Sequence, residues 1–289
     1  MPNFTRRRLL SVAAAAGAAA GEAVWGKGLP VSPVVRRGRV HQSVARWCYP
    51  KIRLHDLCRA AAAIGLRGID LLPPSHWAAP RRYGLICTMG YAGADDIYNG
   101  LNQPENLPPI EASFRRNLPL AARAGVPNVI CFSGARKGMP DDVGANNCIA
   151  ALNRLKPLAE DHGVTICMEL LNSKIDHPDY MCDHVAWGVS VVRAVNSPRV
   201  KLLFDIYHMQ IMEGDLIRTI QANREWIAHF HTGGVPGRHE LNGHQEVRWD
   251  GVMRGILATG FTGYVAHEFI PAGPDPLASL RQAAELCDV

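Results

Sequence analysis

The 289-residue chain is 47% hydrophobic and 20% charged, a composition that excludes a disordered or low-complexity protein and fits a globular enzyme. Of its formal net charge of +5, Arg6, Arg7 and Arg8 supply three with no acid before Glu22, so the rest of the chain carries +2. That is too little, and too evenly spread, to argue for a nucleic-acid partner.

The first segment in chain order reads as a trafficking signal. TRRRLL at 5–10 is followed by the Ala-rich SVAAAAGAAA, which gives a basic start, a short apolar stretch and small residues suited to cleavage near Ala20 or Ala23. The paired arginines match a twin-arginine export signal, implying the export machinery as a partner and a periplasmic location. The apolar run is shorter than the ~20 residues that cross a bilayer, so no permanent membrane anchor is expected. Residues 1–37 are therefore set apart as signal and linker, and 38–289 as one folded domain.

From residue 38 onward, strand-like and helix-like segments alternate. The predicted strands are GRVHQSVARW (38–47), GIDLLP (68–73), LICTMGY (85–91), NVICFSG (128–134), VTICMELLN (164–172), VKLLFDIYHMQ (200–210), IAHFHTGG (227–234) and GYVAHEF (263–269). Each has the β-branched and aromatic content, and the Gly or Pro punctuation, of a buried strand. A helix is expected after each, among them LHDLCRAAAAIG (54–65), EASFRRNLPLAARAG (111–125), the span 141–162 and ASLRQAAELC (278–287). Eight β-then-α units in about the ~250 residues typical of the fold predict a (β/α)8 barrel. The competing doubly wound sheet lacks its Gly-x-Gly-x-x-Gly turn after the first strand.

Eight cysteines in an exported chain raise the question of disulfides. Cys48, Cys87, Cys131 and Cys167 fall in predicted strands and Cys58, Cys148 and Cys287 in predicted helices, with no Cys-x-x-Cys pair. Free buried thiols are expected, and neither a zinc ribbon nor a redox motif.

Four metal-capable side chains end the last four strands: Glu169, Asp205, His231 and Glu268. Two-residue alternation puts Thr165, Cys167 and Glu169 on one side of strand five, and Leu203 with Asp205 on one side of strand six. His229 with His231, and Ala266 with Glu268, share the same side of strands seven and eight. In a parallel barrel these terminal inward positions converge on one mouth. Three carboxylates gathered in a low-dielectric mouth repel one another without a cation. Three oxygen donors and one imidazole suit one divalent ion, Mn2+, Mg2+ or Co2+, better than a structural zinc site.

The segments CMELLN, LLFDIYHMQ, AHFHTGGVPGRHE and AHEF resemble the xylose-isomerase-like barrel superfamily, in particular the hydroxypyruvate isomerase family and its ketose 3-epimerase relatives. The resemblance runs from about Arg39 to the C-terminus. It implies a divalent metal held by Glu169, Asp205, His231 and Glu268, with Glu169 and Glu268 also exchanging protons with the substrate. It further implies that His208 binds a substrate oxygen. Hydroxypyruvate isomerases commonly carry Gln where His231 stands, whereas the epimerases carry His, so the substrate is left open between a small hydroxy-keto acid and a sugar.

Other residues are candidates for the pocket. Arg238, in the turn VPGRHE, is suited to clamp a carboxylate, with a loop brace to Glu240 as the competing reading. His239 and Glu240 are candidate outer partners that orient the ligands, and Lys174 and Trp47 are candidate pocket-lining residues. An apurinic-site endonuclease on this barrel needs additional His ligands from earlier strands, and strands three and four end instead in Met89, Gly90, Ser133 and Gly134. A sugar epimerase or inosose-type dehydratase would use the same groups, and an exported sugar-binding protein on a degenerate barrel would not need both glutamates. Oligomeric state is open, a homo-oligomer included.

Overall fold

A computed structural model describes residues 32–289; the segment expected to be an export signal lies outside the described residues. Eight parallel strands close on themselves in sequence order. They are β1 (His41–Ala45), β2 (Gly68–Leu72), β3 (Ile86–Tyr91), β4 (Asn128–Cys131), β5 (Thr165–Glu169), β6 (Val200–Asp205), β7 (Ile227–Thr232) and β8 (Tyr264–His267). The near-continuous apolar composition of these segments follows from burial on both faces, one toward the barrel axis and one toward the helices.

The helical layer consists of α1 (Leu54–Ile64), α2 (Leu107–Ala124), α3 (Asp141–His162), α4 (Val185–Val195), α5 (Ile206–Met212), α6 (Leu216–Ala222), α7 (Trp249–Ala258) and α8 (Pro276–Leu286). α1 shows why these segments are helical: Leu57, Cys58, Ala61 and Ile64 recur at helical spacing and are the residues it buries. It stops at Gly65, whose φ of 102° is open to glycine at no steric cost.

The expectation of a helix after every strand fails at β2. Pro73, Pro74 and Pro80 remove backbone donors from that connection, which folds as two short 3-10 turns, Pro74–His76 and Ala79–Tyr83. Trp77 fills the space between them, donating its indole N–H to the Leu72 carbonyl at 2.8 Å. Gly90 makes room for it, since a Cβ there would lie 2.5 Å from Trp77 Nε1. The β6 to β7 connection carries two short helices in place of one.

Residues 34–37, expected as linker, are tied to the barrel together with Gly38. Val34 is buried, and the Asp288 carboxylate accepts the backbone N–H groups of Arg36, Arg37 and Gly38 at 2.6, 2.7 and 2.8 Å. These bonds draw the carboxyl below the usual aspartate range, although burial opposes them. All eight cysteines are free and buried. No described helix is long and apolar enough to cross a membrane.

Strand register sets the height of each side chain in the mouth. Asp205 lies level with His231 across β6 and β7, His231 level with Ala266 of β8, and Glu169 level with Leu203. The β2 to β3 pairing skips register on both sides of Asp70, and the next residue, Leu71, adopts φ 57°. A left-handed non-glycine residue inside a strand costs on the order of 1–3 kcal/mol, so the surrounding barrel holds this bulge in place.

Candidate metal centre and active site

Glu169, Asp205, His231 and Glu268 come together as the sequence expects, each buried, each offering a donor atom within 4.8 Å of the others. His231 stands between the two glutamates: its Nδ1 is 3.0 Å from Glu169 Oε1 and 2.7 Å from Glu268 Oε2. The carboxylates therefore converge on one imidazole nitrogen from strands on either side of it.

Asp205 does two jobs with two oxygens. Oδ1 caps α5, accepting the N–H groups of Tyr207 and His208 at 2.8 and 3.3 Å, while Oδ2 faces the cluster. Capping also sets the start of α5, which carries His208 into the mouth. His208 Nδ1 accepts the Asn172 backbone N–H at 3.1 Å, so the ring proton sits on Nε2. That Nε2 is buried, 3.6 Å from Asp205 Oδ2, and has no hydrogen-bond partner among the described residues. A buried, unpaired donor costs free energy unless a bound molecule satisfies it.

Arg238 enters the same space from the β7 to α7 loop, where its own backbone is left-handed at φ 58°. Its Nη2 lies 3.0 Å from Asp205 Oδ2 and 2.5 Å from Glu268 Oε2. The guanidinium lies over the rings of Trp47 and Tyr207, at 5.3 and 5.2 Å from their centroids. The brace to Glu240 is not formed. Trp47, 40% exposed, reaches in to donate its indole N–H to Glu268 Oε1 at 2.5 Å.

The electrostatics follow from this uneven distribution of partners. Burial pushes Asp205 up to about 7 against the pull of Arg238, and pushes Glu169 up against the pull of His231. Burial also opposes ionisation of Glu268, but His231 and Arg238 outweigh it and hold that group down at about 2. His231 is pushed well up: burial works against its charge, and Glu268, Asp70 and Glu169 overcome it. Two of the three carboxyls thus resist ionisation in this buried space, and a bound cation would favour their charged forms. The donor set fits a hard divalent ion held by three carboxylates and one imidazole.

Three expected site residues lie elsewhere. The Lys174 ammonium donates to the Ile211 and Met212 carbonyls at 3.1 and 2.8 Å, closing the far end of α5 and away from the acids. His239 bonds the Ile270 carbonyl, and Glu240 accepts from Ala272, Gly273 and Ser279; both brace the β7 and β8 loops together and touch none of the four ligands. The Lys174 and Glu240 positions depend on loop paths that strand periodicity does not encode.

Sequence reasoning missed Asp70, Thr88 and Asn172. Asp70 is fully buried on β2 and lies 2.9 Å from His231 Nε2 and 3.2 Å from His229 Nε2, with the Thr88 hydroxyl donating to its other oxygen. Burial opposes its ionisation, yet the two histidines draw it well below the ordinary aspartate range. The available signal was a lone acid inside the apolar run GIDLL. Asn172 holds His208 and also donates to Asp176 at 2.7 Å.

A closed eight-stranded parallel barrel with a buried carboxylate and imidazole cluster at the C-terminal ends of its strands defines a (β/α)8 protein with a candidate divalent-metal site. More closely, the profile of the xylose isomerase-like TIM barrel matches residues 58–288, and the chain belongs to that family. It is 30% identical to a 2-oxo-tetronate isomerase of Cupriavidus necator, over 75% of this chain and 86% of the relative. It is 25% identical to a putative hydroxypyruvate isomerase of Homo sapiens, over 78% and 88% of the two chains. Among solved structures, an AP endonuclease, family 2, from Brucella melitensis superposes with a TM-score of 0.72 at 23% identity, covering 83% of this chain and 97% of that one. That likeness is one of fold.

Proposed function

We propose that the protein is a divalent-metal-dependent isomerase that moves a carbonyl to the neighbouring carbon of a small hydroxy-keto acid, with hydroxypyruvate to tartronate semialdehyde as the leading reaction. The observation that carries this reading is the pair of glutamates, Glu169 and Glu268, facing one imidazole nitrogen from two sides at 3.0 and 2.7 Å. Relatives named as isomerases of 2-oxo-tetronate and hydroxypyruvate support the substrate class.

A divalent ion held by Glu169, Asp205, His231 and Glu268 supplies Lewis-acid stabilisation of negative charge on the substrate oxygens. The chain's own groups do the rest. One glutamate removes the proton from the carbon bearing the hydroxyl, leaving an enediolate across the two carbons, and the hydroxyl proton passes to the former carbonyl oxygen. The other returns a proton to the former carbonyl carbon, and the roles exchange in the reverse direction. The unpartnered Nε2–H of His208 donates to a substrate oxygen. Arg238, which lies over the rings of Trp47 and Tyr207, supplies a charged N–H donor for the substrate carboxylate. A ketose 3-epimerase is the second reading, favoured by an imidazole at position 231. Export through the twin-arginine route, resting on residues 5–10, is part of the proposal, and cell fractionation checks it.

The test is turnover of hydroxypyruvate, 2-oxo-tetronate and a set of ketoses by protein loaded with Mn2+, Mg2+ or Co2+, and by the same protein after chelation. Metal-dependent conversion of a 2-oxo acid supports the reading; conversion of ketoses alone replaces it with the epimerase. Equal behaviour of chelated and loaded protein removes the metal.

A further inference from the structure

We propose that Asp70 is the positioning residue of the metal centre: it fixes the His231 ring so that Nε2 keeps its proton and Nδ1 faces the ion. The inference rests on the metal-dependent reading above and concerns a residue that the mechanism itself does not use.

The argument begins with hydrogen bonding in a place that water does not reach. Asp70 and His231 are fully buried, and Asp70 Oδ2 lies 2.9 Å from His231 Nε2. At that separation one of the two atoms carries a hydrogen, and the ionised carboxylate has none to give. The proton is therefore on Nε2. The opposite nitrogen, Nδ1, is directed at Glu169 and Glu268, the side on which the ligand set gathers. The same carboxylate oxygen accepts from His229 Nε2 at 3.2 Å, and the other oxygen accepts from the Thr88 hydroxyl. Asp70 is thereby held from two strands besides its own. These are hydrogen-bond distances, which place protons between Asp70 and the two histidines in preference to a second ion.

The backbone carries an independent sign of the same role. Register slips between Ile69 and Asp70 and again between Asp70 and Leu72, and Leu71 is left-handed at φ 57°. A bulge re-aims the side chain beside it, and this one sits next to the residue that reaches across the barrel from β2 to β7. A carboxylate behind a metal-binding histidine orients the ring and raises the basicity of its ligating nitrogen, and losing it costs about 10- to 100-fold in metal affinity.

The test is calorimetric titration of Mn2+ into the full chain, comparing the unmodified protein with Asp70→Asn and Thr88→Val. Thr88→Val removes a bond to Asp70 but leaves its contact with His231. The expected result is one ion per chain, an affinity weaker by about 10- to 100-fold in Asp70→Asn and by no more than about threefold in Thr88→Val. An Asp70→Asn affinity within about twofold of the unmodified protein overturns the proposal, as do two ions per chain. Should Asp70→Asn fail to fold, 15N spectra of the Zn2+-loaded unmodified protein decide the question, with the His231 ring assigned by its loss in His231→Gln. A proton on Nε2 and metal on Nδ1 is expected; the reverse overturns the proposal. An unmodified protein that binds no Mn2+ defeats the metal reading and this one together, whereas normal binding by both the unmodified and Asp70→Asn proteins defeats only this one.

Discussion

Glu169 and Glu268 are both buried carboxylates at strand ends, but their surroundings differ. Glu268 receives the Trp47 indole and the Arg238 guanidinium, whereas among the described residues Glu169 has His231 as its one charged partner at hydrogen-bond distance. Replacing either with Gln keeps the volume and removes the proton acceptor, so turnover is expected to fall by about a hundredfold to ten-thousandfold in each variant, measured as kcat with saturating metal. Lys174 gives the opposite expectation. With its ammonium spent on two carbonyls at the end of α5, Lys174→Ala is expected to cost about 0.5–1.5 kcal/mol in urea unfolding and to leave kcat/KM within about twofold. A loss of activity without a loss of stability would return Lys174 to the pocket.

At the scale of elements, the ends of strands hold the chemistry and the connections decide which other groups reach it. Asp205 couples the two, since one carboxylate both caps α5 and faces the cluster. The N-terminal segment is coupled to the end of the chain through Asp288, whose carboxyl is drawn down by the N–H groups of residues 36–38. Because folding lowers this pKa, its contribution is fully present above the ordinary aspartate range and is lost as pH falls through the lower folded value. Asp288→Asn is accordingly expected to lower Tm at neutral pH and to flatten the acid side of the stability profile; an unchanged profile would show that the contact adds nothing. The alternation of apolar and polar positions made β5 to β8 and their four terminal groups legible in the sequence, because a parallel barrel converts strand ends into a shared mouth. The missing helix after β2 follows from Pro73, Pro74 and Pro80, which remove backbone donors that a helix needs. Asp70 was hidden because an acid in an apolar run breaks the strand pattern, and only closure of the barrel shows that it meets His231 from the opposite wall.

For the whole molecule, the closed barrel makes the site a property of the complete fold: β2, β5, β6, β7 and β8 all contribute to one cluster. Such a scaffold holds the ligands without the ion, so chelation is expected to abolish turnover while leaving the far-ultraviolet circular dichroism unchanged. Saturating metal, at about 100 times its Kd, is expected to add about 2.7 kcal/mol to stability, a rise of about 5–10 °C in Tm for a chain of this size. Arg238 marks the limit of sequence reasoning at this scale. Its place over the rings of Trp47 and Tyr207 depends on a left-handed backbone and on loops from three strands meeting, and no local pattern specifies that meeting. The most direct measurement is of the proton itself: metal-loaded protein and hydroxypyruvate in deuterated water, with the product examined carbon by carbon. Deuterium at the former carbonyl carbon, and none in the Glu169→Gln and Glu268→Gln proteins, is the expected result. Label confined to an inverted centre of a ketose, or product formed without any label, would contradict isomerisation by these two glutamates.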